Sequence, residues 1–304
     1  MSIFLGLDGG GTKTTCAVGD ENSLLATATA GGSNVIRLGE MRARESLRSV
    51  IRQACTVAGV DPRQVQQTCI GVAGAARPEI ADTVRRLLSE IVSGEVRVVG
   101  DMVITLEAVF GSDPGIIVIA GTGAMAYGRN ELGQTARAGG WGFAISDEGS
   151  GHWIGRLAIG VSLRAQDEGE DTKLLGRILD CWQLSTFDDL VRAANASPPP
   201  DFSSLFPTIL AAAEDGEALA HSVLTQAGAA LAGLAKMVIR RLFLDAPAIP
   251  VAMSGGVFRQ SALVRHVFYN SLRSEYPRAD VNSTMIEPVN GALALARKAA
   301  RQSM

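Results

Sequence analysis

A short apolar run leading into a glycine-rich turn, and out again into a second strand-like run, occurs twice in this chain. The first copy is Ile3-Phe4-Leu5-Gly6-Leu7, then Asp8-Gly9-Gly10-Gly11-Thr12-Lys13-Thr14, then Thr15-Cys16-Ala17-Val18. The second is Ile116-Ile117-Val118-Ile119-Ala120, then Gly121-Thr122-Gly123, then Met125-Ala126-Tyr127. Taken singly, each has the look of an ordinary β-hairpin. As a pair they predict two facing phosphate cradles: glycine lets the backbone come close to an anion and aim N–H groups at it, while a threonine hydroxyl and a lysine add a donor and a charge. Two commoner nucleotide patterns are excluded. A P-loop needs its lysine directly after the last glycine and then a helix, but Thr12 separates Gly11 from Lys13 and the next residues alternate like a strand. A dinucleotide fingerprint needs a third glycine where Thr14 stands, and a helix opening there.

The repetition extends beyond the turns. After the first hairpin, Asp20 to Ser23 predicts a turn and Leu24 to Ala28 a third strand. Leu47, Ile51, Ala54 and Ala58 then fall at helical spacing, with Gly59 to end the helix. Thr68 to Ala73 reads as a buried strand, Ile80, Val84, Leu87, Leu88 and Ile91 as one helix face, and Val96 to Gly100 as a strand, giving the order βββαβαβ. The second half opens the same way, with a strand to Arg129, a turn at Asn130 to Gly133 and a third strand over Gln134 to Ala138. A long helical region follows, broken at Ser197-Pro198-Pro199-Pro200, where prolines lack donors and restrict their predecessors. Leu219 to Leu244 reads as a helix, Val251 to Met253 as a buried strand, Val264 to Leu272 as a helix, Asp280 to Met285 as a strand and Gly291 to Arg301 as a final helix. The expected architecture is α/β: two related domains, each a mixed sheet flanked by helices, with ligands in the cleft between them. A hinge near Asp113-Pro114-Gly115 gives domains 1–114 and 115–290, with the last helix, 291–304, crossing back to the first.

At 304 residues the chain is long enough for two cores. With 19% charged residues, 47% hydrophobic ones and a net charge of −3, neither disorder nor a nucleic-acid partner is favoured. Arg85-Arg86 and Arg240-Arg241 fall in helical patterns and read as solvated faces. The chain enters Ile3-Phe4-Leu5 without a basic leader, and no apolar run approaches the roughly 20 residues of a membrane span, so a soluble, cytoplasmic protein without a membrane partner is expected. Cys16, Cys55, Cys69 and Cys181 form no CxxC pair and are expected to be reduced and buried; His152, His221 and His266 are isolated, which disfavours zinc.

Several residues are placed for chemistry. A carboxylate at the end of a buried strand suits a general base, and Asp101 follows such a strand; it equally suits an N-cap for the helix that starts at Met102. Asp8 ends the first strand, where it either holds magnesium through water or stabilises the turn. Lys13 is either a phosphate contact or an exposed hairpin lysine. In Gly139-Gly140-Trp141-Gly142 the indole either fills a core gap or offers a face to a sugar ring. Asp147 and Glu148 precede a helix near His152, as caps or as partners for sugar hydroxyls. Asn34, after Gly31-Gly32-Ser33, offers an amide to a polar substituent or belongs to a plain turn. Ser254-Gly255-Gly256 at a strand end leaves bare backbone for a base or ribose, or is a simple strand-to-helix loop.

In this order the segments resemble the sugar-kinase branch of the actin, hexokinase and heat-shock ATPase superfamily, and within it the N-acetylglucosamine kinases grouped with benzoyl-CoA-reductase-activator type ATPases. The resemblance covers essentially the whole chain and implies two domains of the ribonuclease H-like type. Asp8 to Thr14 resembles the first phosphate motif, Gly121-Thr122-Gly123 the second and Ser254-Gly255-Gly256-Val257 the adenosine motif. It implies that Gly10, Gly11, Thr12, Lys13, Gly121, Thr122, Gly123, Ser254, Gly255 and Gly256 bind ATP, that Asp101 is catalytic, and that Asn34, Asp101, Gly140, Trp141, Asp147 and Glu148 bind an amino sugar. Val72-Ala73-Gly74-Ala75 resembles the small-residue run after the fourth strand, whereas Met102-Val103-Ile104 is bulkier than what usually follows the catalytic aspartate. The cysteine cluster of zinc-binding bacterial glucokinases is absent, as is any cysteine pattern for an inter-subunit iron–sulfur cluster.

The expected activity is transfer of the γ-phosphoryl of ATP, with Mg2+, to the 6-hydroxyl of N-acetylglucosamine or glucosamine, by a homodimer. Asp101 or Asp147 is the base. Two rivals are an ATPase that drives a conformational change in a partner protein, which has no use for the Trp141 and Asp147 segment, and a non-catalytic sugar sensor.

Overall fold

The computed structural model describes every residue except Met1, Asp171, Ser283, Met285, Ser303 and Met304. It begins with β1 (Ile3–Gly9), β2 (Lys13–Gly19), β3 (Leu24–Gly31), α1 (Val35–Leu38), α2 (Glu40–Ala58), β4 (Val65–Val72), α3 (Pro78–Ser89), β5 (Glu95–Val99) and α4 (Asp101–Phe110). Next come β6 (Gly115–Ala120), β7 (Ala124–Arg129), β8 (Thr135–Gly139), α5 (Gly151–Asp167), α6 (Lys173–Cys181), α7 (Phe187–Ala194) and α8 (Phe206–Glu214). The chain ends with α9 (Ala218–Leu242), β9 (Ile249–Ser254), α10 (Gly256–Gln260), α11 (Ala262–Glu275), β10 (Ala279–Asn282) and α12 (Pro288–Gln302).

Packing divides the chain into two units, Met1–Asp113 with Ile286–Met304, and Pro114–Met285. The duplication read from the turns is present in the sheets. Unit 1 has strand order β3-β2-β1-β4-β5 and unit 2, read from its other edge, β8-β7-β6-β9-β10. In each, the three-strand meander is antiparallel and the two added strands are parallel to the central one.

Period-2 alternation gives the sheet of unit 1 two buried faces. Leu5, Leu7, Cys16, Val18 and Ile70 pack with α2 and α3, while Phe4, Ala17 and Cys69 pack with Ile104 of α4 and with α12. α2 presents Leu47, Val50, Ile51, Ala54 and Cys55 to the sheet, and Gly59 closes it in the left-handed conformation at φ 68°. Pro78 opens α3, which buries Ala81 in place of the expected Ile80. In unit 2 the central helix is α9, packed against α8, α11 and β6 to β8.

Some expectations need correction. α1 and α10 are too short to leave a periodic signature and escape a sequence reading. The last strand is shorter than Asp280 to Met285, ending at Asn282; Ser283 and Met285 lie outside the described residues. Cys181 is exposed, because the partly polar end of α6 turns outward, although Cys16, Cys55 and Cys69 are buried and none of the four is in a disulfide. α9, at 25 residues and mean hydropathy 1.4 over its most apolar window, is by length and composition long and apolar enough to cross a membrane. Its apolarity comes from closely spaced Ala and Gly rather than an unbroken run of large side chains, and its buried face forms much of the core of unit 2.

Candidate active site

In unit 1 the first glycine turn is built as a braced hairpin tip. Asp8 still lies in β1, opposite Thr15, and Lys13 already opens β2, so the turn proper is Gly10 to Thr12. Gly10 donates its N–H to the Lys13 carbonyl at 3.0 Å, and its own carbonyl accepts from the N–H groups of Ser33 and Asn34 at 3.1 and 3.3 Å. A Cβ on Gly32 would stand 2.4 Å from the Gly11 oxygen, so only glycine lets the 31–34 loop press against the turn. Behind it, the buried Thr14 hydroxyl donates to Ser33 Oγ at 2.8 Å. Among the described residues, the N–H groups of Gly11 and Thr12 enter no hydrogen bond within the protein, which leaves two adjacent donors for an anion.

Asp101 is the first residue of α4. The N-cap position belongs to Gly100, because the Asp101 backbone is already helical; its Oδ1 accepts from the Met102 N–H at 3.0 Å. Burial pushes its carboxyl up, against the pull of the Met102 and Asp101 N–H groups. Asp8 is pushed up to about 6, first by burial, then by the charge of Asp101 and more weakly by Glu287, with Lys13 opposing. The bulk after Asp101 is accommodated inside unit 1: the Ile104 side chain occupies the space that a Cβ on Gly71 would need, and Met102 sulfur that of a Cβ on Gly100. Asn34 caps α1, accepting from Ile36 and Arg37 N–H at 3.0 and 3.2 Å, so its amide oxygen is engaged and its NH2 is what it offers a ligand.

Unit 2 repeats the arrangement. Gly121 N–H donates to the Gly123 carbonyl at 2.9 Å, and the carbonyls of Gly121 and Thr122 accept from Gly151 at 2.8 Å and His152 at 3.4 Å, so the turn rests on the start of α5. Among the described residues the N–H groups of Thr122 and Gly123 enter no hydrogen bond. Ser150, not Asp147 or Glu148, caps α5, accepting from Trp153 N–H at 3.1 Å. Asp147 instead turns inward at φ 71°, only 7% exposed, with a carboxylate oxygen 3.0 Å from where a Cβ on Gly123 would be. It is pushed up by burial, while bonds from the Ala124 and Gly142 N–H groups pull it down. Its carboxylate therefore stands against the second glycine turn, on the side of the Gly139–Gly142 loop. Glu148 is exposed, 3.4 Å from the Ser146 hydroxyl.

That loop does not fill the core. Gly139, Gly140 and Gly142 take φ of 72°, 71° and 104°, a path open to glycine, and it leaves Trp141 66% exposed. The Arg137 guanidinium lies 3.9 Å over one face of the indole. Ser254 ends β9, and Gly255 follows at φ 102°, where a Cβ would stand 2.3 Å from the Ala120 carbonyl. Glycine there keeps the third motif in contact with the residue that precedes the second turn. Sequence reasoning missed Arg37 and Glu287: one sits in a helix without periodicity, and the other bears on Asp8 only through the fold of α12's leading residues onto unit 1.

Known proteins resemble this chain in sequence and in fold. The sequence profile of the BadF/BadG/BcrA/BcrD ATPase family matches residues 5–296. An N-acetylmuramic acid/N-acetylglucosamine kinase of Clostridium acetobutylicum is 31% identical over 98% of this chain and 99% of its own length. An N-acetyl-D-glucosamine kinase of Dictyostelium discoideum is 31% identical over 97% of each. The solved structure of a protein from Chromobacterium violaceum, named for N-acetylglucosamine kinase, superposes with a TM-score of 0.80 at 25% identity, over 97% of this chain and 99% of that one. With the twofold sheet topology and its paired glycine turns, these matches place the chain in the BadF/BadG/BcrA/BcrD ATPase family.

Proposed function

We propose that the protein is an ATP-dependent hexosamine kinase that transfers the γ-phosphoryl of ATP to the 6-hydroxyl of N-acetylglucosamine or glucosamine. The observation that carries this reading is an exposed indole, Trp141, on a loop whose buried Asp147 carboxylate stands against the second glycine turn. An ATPase without a sugar has no use for a solvent-facing tryptophan held in that register.

Asp101 is the general base. Its carboxylate takes the 6-hydroxyl proton as the new O–P bond forms and the bond to ADP breaks; a base raised toward neutrality accepts a proton more readily than an ordinary aspartate. The Asp147 carboxylate faces Ala124 at the second glycine turn on one side and Gly142 on the other, and serves to hold Trp141 and Gly142 in place. Unit 1 supplies the N–H groups of Gly11 and Thr12 and the Lys13 ammonium to phosphate oxygens, and unit 2 supplies Thr122 and Gly123 for the same role. Ser254, Gly255 and Gly256 give the adenosine bare backbone, and Asn34 and Glu148 read sugar substituents.

Among the described residues no three His, Cys, Asp or Glu side chains cluster to hold a metal by themselves. A single half-buried carboxylate with a second one beside it, Asp8 near Asp101, nevertheless fits Mg2+, which keeps most of its waters and relies on substrate phosphates for ligands. Magnesium held there through water by Asp8 would neutralise charge on the phosphates. A homodimeric state and the assignment of the two units to phosphate and sugar, and to nucleotide, rest on the family resemblance, whereas the ion and a cytoplasmic location rest on the sequence pattern.

The test is ADP release from ATP with a panel of hexoses and hexosamines: stimulation by N-acetylglucosamine or glucosamine is expected, and equal turnover without sugar would leave the partner-driving ATPase instead. Trp141→Ala is expected to raise the KM for the amino sugar about tenfold, the equivalent of about 1.4 kcal/mol, and to leave kcat within about twofold. Because the ring is exposed, unfolding free energy should change by less than about 1 kcal/mol; an unaltered KM would remove Trp141 from the sugar site.

A further inference from the structure

Arg37 lies across the first glycine turn: a methyl placed on Gly11 would stand 3.5 Å from its Cδ and from one guanidinium nitrogen. Its helix, α1, is a single turn, but hydrogen bonds lock it to that hairpin. Asn34 caps the Arg37 N–H at 3.2 Å, and the N–H groups of Ser33 and Asn34 both reach the Gly10 carbonyl. On its other side, Ile36 occupies the space a Cβ on Gly74 would need, its Cδ1 2.7 Å away. The arginine is thus carried in fixed register beside Gly11 of that turn.

The local charge balance calls for a cation there. A triphosphate brought to this turn adds several negative charges beside Asp8 and Asp101, and Lys13 is the cation that acts on Asp8. One ammonium is a point charge. A guanidinium presents a planar fork that matches two phosphoryl oxygens at once, and in phosphoryl transfer it acts on the equatorial oxygens over which charge spreads.

We propose that Arg37 binds the γ-phosphoryl oxygens at the first glycine turn and stabilises that group during its transfer, so that one short helix links the sugar-reading Asn34 to the phosphate. The transfer role rests on the kinase reading above; the anion contact rests on the turn alone.

The experiment compares Arg37→Ala and Arg37→Lys with the wild type and with Arg42→Ala, which removes an exposed cation of α2 outside the site. Tripolyphosphate, titrated calorimetrically into each protein in magnesium buffer, should bind about tenfold more weakly to Arg37→Ala, recover in part in Arg37→Lys and match the wild type in Arg42→Ala. In the ADP-release assay, Arg37→Ala should lower kcat about 100-fold with the sugar KM within about twofold of wild type. If the wild type shows no sugar-dependent release while Arg37→Ala still weakens tripolyphosphate binding, the kinase reading fails and the anion contact stands. If Arg37→Ala matches the wild type in both tripolyphosphate affinity and kcat, the proposal is overturned.

Discussion

Asp101→Asn is expected to lower sugar-dependent ADP release by about 10³-fold while raising the unfolding temperature at pH 7.5. The loss follows from the base: an amide cannot take the hydroxyl proton, and positioned proton transfer contributes about 10² to 10⁴ in rate. The gain follows from what ionised Asp101 costs the folded protein, since burial outweighs the two backbone N–H groups that favour its charge. Its favourable interaction with the N-terminus of α4 is worth only about 0.5 kcal/mol, too little to reverse that sign. Two pH dependences come with it. The acid limb of the wild-type kcat/KM profile should lie above the ordinary aspartate range. For stability, Asp8 has a folded value of about 6 against an ordinary 3.8, so the folded protein binds the proton more tightly. Its contribution is therefore complete below pH 4 and is lost as pH rises through 6, on the order of 3 kcal/mol. Removing the Asp101 charge takes away one cause of that elevation and should flatten the slope between pH 4 and 6 in urea unfolding. Activity within tenfold of wild type in Asp101→Asn, with ATP still bound, would overturn the assignment of the base.

The parts of this arrangement that were legible in the sequence are those with a local signature. Two apolar strands ending in glycine carry their own pattern, as does the helix of Leu47, Ile51 and Ala54 with Gly59 behind it, and the matching order of elements then dictated the matching sheets. What stayed hidden depends on contacts between distant segments. Asp147 looked like a cap because acidic residues before a helix usually are; its inward turn needs positive φ and the bare Cα of Gly123, twenty-odd residues away. Trp141 looked fit for the core, and its exposure is set by three glycines whose φ no pattern announces. Ile104 looked like an obstacle beside the sugar, yet it fills the space over Gly71. Arg37 gave no signal at all, since a single helical turn has no period.

Gly291→Ala is expected to destabilise unit 1 by about 3 kcal/mol, a fall in unfolding temperature of about 10 °C, and to reduce turnover with it. By intrinsic propensity alone the change should stabilise α12 by about 1 kcal/mol. Sterics decide otherwise: the new methyl would lie 1.9 Å from the Ile104 carbonyl oxygen, 2.6 Å from Ala108 N and 3.0 Å from Ala108 Cβ. Two of these are backbone atoms of α4, so no rotamer change relieves the overlap and the helices must separate. α12 has no room to withdraw, because on its sheet side Gly6 of β1 already meets it backbone to backbone; a Cβ there would be 2.3 Å from Leu293 N. The displacement therefore falls on α4, which begins at Asp101, three residues before Ile104. Gly233→Ala in α9 is the control, since nothing lies within 4 Å of its Cβ position, and there the propensity term should prevail, leaving stability unchanged or raised by up to about 1 kcal/mol. A Gly291→Ala protein that unfolds at the wild-type temperature would mean that α12 and α4 are not in backbone contact, and the coupling of the last helix to the base would fall with it.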